Sequence, residues 1–138
     1  MTLAKKIVGA IAVVSLAACA GMGGGGPVRV SLTGAQEVPP VSTQGSGSGS
    51  FTIGEDGSVS GSVTTTGVAG FMAHLHMAAK GQNGPVILPL TKSGDTYSAP
   101  AGAKLNAAQL SAFKAGNVYV NVHSPQNKGG EVRDQLQP

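Results

Sequence analysis

Hydrophobic and polar positions alternate with a period of two through most of the chain, and turn residues interrupt the alternation at intervals of about ten. In residues 28–32, Val28, Val30 and Leu32 alternate with polar neighbours. Pro39-Pro40 then breaks any regular element. Phe51-Thr52-Ile53 resumes the alternation, Glu55-Asp56-Gly57 offers a tight turn, and residues 59–66 form a Ser/Thr/Val-rich run that suits the partner strand of a hairpin. Further strands are predicted at 71–77, 86–90, 96–98, 117–123 and 131–136, with turns at Asn83-Gly84-Pro85, Ser93-Gly94-Asp95 and Asn127-Lys128-Gly129-Gly130. The Gly-Ser run at 45–50 leads into a strand, so it is read as an edge strand or a loop, not a domain boundary. One helix is predicted, over 106–115. Asn106 is its N-cap, Ala107, Leu110, Ala112 and Phe113 are its apolar positions, and Gly116 follows its end. Many short strands and one helix indicate an all-β fold, an antiparallel β-sandwich or small barrel.

The first 27 residues follow a different rule. Lys5 and Lys6 precede an apolar run from Ile7 to Leu16, and Leu16-Ala17-Ala18-Cys19 closes it. A basic start, a short apolar stretch and small residues at the cut describe a secretory signal. The run is too short for a bilayer core of ~30 Å. Leu-Ala-Ala-Cys resembles the lipobox of bacterial lipoproteins. That resemblance implies cleavage after residue 18 and lipidation of Cys19, with enough acyl chains for stable anchoring. Ala20 in place of aspartate favours the outer membrane, facing the periplasm or the cell surface. Residues 19–27 would be the lipidated, Gly-rich tether and residues 28–138 the single folded domain.

Composition narrows the function classes. The chain has nine Lys/Arg and six Asp/Glu, and without Lys5 and Lys6 the count is seven against six, about +1. The basic residues are scattered, so nucleic-acid binding is not expected. No Gly-x-Ser-x-Gly elbow and no P-loop occur, and Cys19 is the only cysteine. No catalytic residue is assigned, and no enzyme is expected.

The candidate chemistry lies in three histidines, His74, His76 and His123. Alternation puts His74 and His76 on one strand face, opposite Phe71, Ala73 and Leu75. In the later strand, Tyr119, Asn121 and His123 oppose Val118, Val120 and Val122. If the valines and Leu75 line the core and the two strands pair, three imidazoles converge. Three imidazoles suit copper or zinc. A fourth position is open to Met72, on the same face, to Met77, or to Glu131, as ligand or as acceptor for an imidazole N–H. The alternative is a hydrogen-bonded network in which the histidines are structural.

Four motifs in order carry a family resemblance. They are Leu32-Thr33-Gly34-Ala35-Gln36-Glu37-Val38-Pro39-Pro40-Val41, residues 67–76 with Ala73-His74-Leu75-His76, Gly81-Gln82-Asn83-Gly84-Pro85-Val86, and Tyr119-Val120-Asn121-Val122-His123-Ser124 followed by Gly129-Gly130-Glu131-Val132-Arg133-Asp134-Gln135-Leu136. The chain over about 28–136 resembles the CHRD domain, the module named from chordin and widespread in bacterial exported proteins. The resemblance implies an immunoglobulin-like or superoxide-dismutase-like Greek-key sandwich outside the cytoplasm, and it carries no general activity. Met77-Ala78-Ala79-Lys80 stands where the family has glycine soon after His-x-His. A copper–zinc dismutase site needs more histidines than this chain has. Glu37 and Glu131 are expected to pair with Arg133 or Arg29, Gly129-Gly130 to supply positive φ, and Pro39-Pro40 to stiffen a loop. Two functions remain: a lipid-anchored envelope domain binding copper in preference to zinc through three histidines, or a non-catalytic module binding an envelope protein or glycan.

Overall fold

A computed structural model describes residues 25–138, so the expected signal peptide and Cys19 lie outside the described residues. Nine strands form: β1 (Val28–Thr33), β2 (Ser46–Ile53), β3 (Val59–Thr66), β4 (Met72–Met77), β5 (Val86–Pro89), β6 (Thr91–Ser93), β7 (Thr96–Ser98), β8 (Val118–His123) and β9 (Val132–Gln135). One helix, α1 (Ala107–Lys114), links β7 to β8. All pairings are antiparallel, in the order β5-β4-β8-β9-β1-β2-β3-β7-β6. The two ends of that order meet. Only Leu90 separates β5 from β6, and its N–H donates to Ala73 O on β4 at 3.0 Å. At the other seam β9 meets β1 through the single register pair Thr33–Arg133. The sheet therefore wraps almost completely around one core, which is the all-β architecture the strand pattern predicts.

The core follows from the alternation. Val28, Val30 and Leu32 of β1, Phe51 and Ile53 of β2, Val59 and Val63 of β3, Ala73 and Leu75 of β4, and Val118, Val120 and Val122 of β8 are all buried. Phe71 departs from expectation. It precedes β4 and stands 43% exposed instead of joining Ala73 and Leu75. The short strand β6 also lies where the sequence predicts only a turn approach. In α1, Asn106 Oδ1 accepts from Gln109 N at 2.8 Å and Gln109 Oε1 accepts from Asn106 N at 2.9 Å. This reciprocal cap starts the helix where expected, and Gly116 ends it with φ +78°. Phe113 is its buried anchor, while Ala107 faces solvent. No helix among the described residues is long and apolar enough to cross a membrane.

The Gly-Ser run is neither edge nor loop. It forms the first half of β2, hydrogen-bonded on both sides, to β1 and β3. A Cβ on Gly49 would sit 2.8 Å from Val63 Cα and collide with Ser62 O, so β2 and β3 can approach this closely only without a side chain there. Gly49→Ala is expected to cost about 1–2 kcal/mol, because the obstacle is backbone and cannot rotate away. Equilibrium urea unfolding measures this, and an unchanged midpoint would show that the strands can part without cost.

Both faces of β8 are buried. One face is the valine core. The other carries Tyr119, Asn121 and His123, and is roofed by the loops around residues 78–85 and 124–130 through hydrogen bonds to Gly84 and Lys128, and by the buried Glu37 of the 37–41 loop, whose carboxyl lies with the Asn121 amide beside Gly130.

Candidate metal centre

Strands β4 and β8 are neighbours in register, with Met72 opposite His123, His74 opposite Asn121 and His76 opposite Tyr119. Because Leu75 pairs with Val120 in the core, the alternate residues share the roofed face. The three histidines thus converge. One candidate ligand atom from each lies within 4.8 Å of the others, and this is a group of His, Cys, Asp or Glu side chains, among the described residues, that could hold an ion. Nδ1 of His74 is 3.1 Å from Nε2 of His123.

Backbone carbonyls fix two of the rings. His76 Nδ1 donates to Gly84 O at 2.9 Å, and His123 Nδ1 donates to Lys128 O at 2.8 Å. A carbonyl only accepts, so each Nδ1 carries the hydrogen and each Nε2 keeps its lone pair. His76 Nε2 is buried without a hydrogen-bond partner. Burial holds all three imidazoles below the usual histidine range. For His74, where burial is joined by the neighbouring His123 and His76, the value falls to about 4. The rings are therefore neutral at pH 7, the form that ligates metal.

Of the three further candidates, Met72 is the one placed to take part. It stands across from His123 on the histidine face, 39% exposed. Met77 pairs with Val118 on the opposite alternation. Glu131 is not in the histidine group, because its carboxylate is engaged elsewhere. Its Oε1 accepts from Ser124 Oγ at 2.7 Å and from Asn127 Nδ2 at 3.3 Å, and its Oε2 accepts from Thr43 Oγ1 at 2.9 Å.

The expected pairing of Glu37 or Glu131 with Arg133 or Arg29 does not form. The ion pair found among the described residues joins Lys114 to Glu55, at 2.7 Å and well exposed. Arg133, 1% exposed, instead lies flat on Tyr119, with its guanidinium carbon 3.4 Å from the ring centroid. It donates to Gln82 O at 2.8 Å, Asn83 Oδ1 at 3.2 Å and Gln135 Oε1 at 3.4 Å. Tyr119 in turn stacks on His76, 4.7 Å between centroids and 2° from parallel. Strand β8 lies between β4 and β9, so His76 and Arg133 flank Tyr119 from opposite sides. The alternation of 117–123 placed Tyr119 on the histidine face, but Arg133 could be placed there only once β9 was known to pair with β8.

Glu37 closes the roof. It is 4% exposed, and burial pushes its carboxyl up to about 7 against the opposing pull of Arg133 and Asn121. Its Oε1 has no hydrogen-bond partner, and neither has Asn121 Oδ1. Of the expected positive-φ pair only Gly130 has it, at φ +126°; it passes beside both groups, and any Cβ there would collide with the Glu37 carboxyl and the Asn121 amide. A cleft of about 500 Å³ opens over this point, walled by Glu37, Pro39, Pro40, Asn83, Asn127 and Gly130 among others.

Comparison with known proteins agrees with the motif pattern. The family model described as CHRD domain matches residues 28–136. No curated protein and no solved structure matches the chain. The match spans both strands of the histidine site and all three roofing loops, and the chain belongs to the CHRD-domain family.

Proposed function

We propose that this protein is a lipid-anchored, extracytoplasmic CHRD-domain lipoprotein that binds a transition metal, copper in preference to zinc, at His74, His76 and His123. Its role is metal handling or sequestration without catalysis. The anchor is the acylated Cys19, and the expected location is the bacterial envelope, on the outer membrane. One observation carries the metal reading. Two rings are locked through Nδ1 by backbone carbonyls, His123 Nε2 accepts from His74 Nδ1 at 3.1 Å, and the buried His76 Nε2 has no partner although the three rings' ligand atoms lie within 4.8 Å of one another. Such outer hydrogen bonds fix tautomer and orientation in metal-ligating histidines. In a purely structural network most buried nitrogens are paired, and His76 Nε2 is not.

Titration of the chain with copper or zinc tests this, with Cys19→Ser introduced so that no thiol competes. Binding tighter than micromolar is expected, weakened at least tenfold in the His74→Ala/His76→Ala/His123→Ala variant. Equal affinity in that variant, or no binding in the parent, would leave the histidines structural.

A second reading, a non-catalytic module for an envelope protein or glycan, is supported by the cleft above Glu37, whose buried carboxyl oxygen lacks a donor. Under that reading the triple variant loses stability whether or not metal is present.

A further inference from the structure

We infer that the three-histidine site selects copper in its monovalent state, with Met72 as the exchangeable fourth ligand and the Arg133–Tyr119 stack as the element that disfavours divalent ions. The inference rests on the metal reading above and assigns that site its oxidation state.

The donor set is neutral throughout. Three imidazoles and a thioether carry no charge, and no carboxylate belongs to the group. Glu131 is held by Thr43, Ser124 and Asn127. Zinc(II) and copper(II) gain much from an anionic ligand, whereas copper(I) is content with soft, neutral donors. Met72 stands directly opposite His123 and beside His74 on the same strand face, and at 39% exposed it is the most exposed member of the group. A ligand at the solvent side can leave first, as transfer of an ion to another molecule requires.

The second contribution is electrostatic. Arg133 is a buried guanidinium with no carboxylate within ion-pairing distance. Its hydrogen-bond acceptors are neutral amide oxygens, and the Glu37 carboxyl, near enough to feel its charge but not in ion-pair contact, offsets only part of it. It lies on one side of Tyr119 and His76 lies on the other. A metal ion on His76 therefore meets a fixed positive charge across one aromatic ring, and a divalent ion meets twice the repulsion of a monovalent one. Arg133 touches neither metal nor ligand. It is a positioning and tuning residue that acts through Tyr119 and His76.

The test uses the full chain with Cys19→Ser. Copper(I) is titrated anaerobically against the chromophoric chelator bicinchoninate, and copper(II) and zinc(II) are titrated separately. Copper(I) is expected to bind at least 100-fold tighter than either divalent ion. Met72→Leu should weaken copper(I) about tenfold and leave zinc(II) unchanged. Arg133→Gln should lower the copper(I)/copper(II) affinity ratio about tenfold, read independently as a fall of ~59 mV in the reduction potential. Arg133→Met, uncharged and of similar length, serves if the Arg133→Gln variant does not fold, and should lower that ratio by the same factor, whereas Tyr119→Leu, which removes the stack but keeps the charge, should leave it within threefold of the parent's. Divalent ions bound within tenfold of copper(I), or a Met72→Leu variant with unaltered copper(I) affinity, would overturn the inference while leaving a metal site in place. Failure of every ion to bind would overturn the three-histidine reading itself.

Discussion

Glu131→Ala is expected to destabilise the fold by about 3–4 kcal/mol while changing metal affinity less than threefold. The side chain is 7% exposed and gathers three donors from two loops: Thr43 ahead of β2, and Ser124 and Asn127 after β8. Hydrogen bonds to a carboxylate contribute about 1.5–3 kcal/mol each, and removing the shared acceptor also strands the one donor of the three that is fully buried. Ser124 is fully buried, so its hydroxyl suffers most. Urea unfolding gives the stability and chelator competition gives the affinity, each measured on the same preparation. A variant that keeps its stability but loses metal would return Glu131 to the ligand set, where its sequence position beside the histidine strands first put it.

That residue illustrates what the sequence discloses and what it hides. Period-two alternation placed His74 and His76 together, and Tyr119, Asn121 and His123 together, because each relation lies within one strand. That the two groups meet depends on β4 pairing with β8, across more than forty residues, and no local pattern encodes that choice. The same limit hid the partner of Glu131, since Thr43 is 88 residues away. It also hid the true setting of Arg133, which was expected in a salt bridge and lies instead on an aromatic ring. The Gly-Ser run was legible as the start of a strand, but not as a central one. Its composition is that of a linker, yet small residues are what a central strand needs where its neighbour's backbone comes within contact of the Cα. The N-cap Asn106 was legible because a cap acts within four residues, while the reciprocal bond from Gln109 to the Asn106 N–H is seen only in the structure. The lipidation signal at Cys19 is a sequence pattern outside the described residues, and it remains a proposal.

The metal-free protein is expected to show two opposed proton linkages, separable by the single substitution Glu37→Gln. His74 is held down to about 4 from an ordinary 6.5, chiefly by burial and then by His123 and His76. As pH falls from 6.5 towards 4, the unfolded chain takes up a proton that the folded chain refuses, so stability drops. Burial holds His76 and His123 down in the same direction. Glu37 runs the other way. Burial raises it from 4.5 to about 7, so on acidification the folded chain takes up this proton first, and stability rises as pH falls from 7 to 4.5. At 1.36 kcal/mol per pH unit, reduced by about half for the water that still reaches these groups, each linkage is on the order of 2 kcal/mol. With three histidines against one carboxyl, the parent protein should lose stability between pH 7 and pH 5, its Glu37 linkage offsetting only part of the loss. Glu37→Gln removes only the favourable acid slope. Its stability should match or exceed the parent's at pH 8, where the parent holds a buried carboxylate, and fall about 2 kcal/mol below the parent's own trend by pH 5. Urea unfolding at pH 5, 6, 7 and 8 in the presence of EDTA measures both curves. Parallel curves would mean that Glu37 titrates as an ordinary solvated carboxyl, and that the roof over the histidines is open to water.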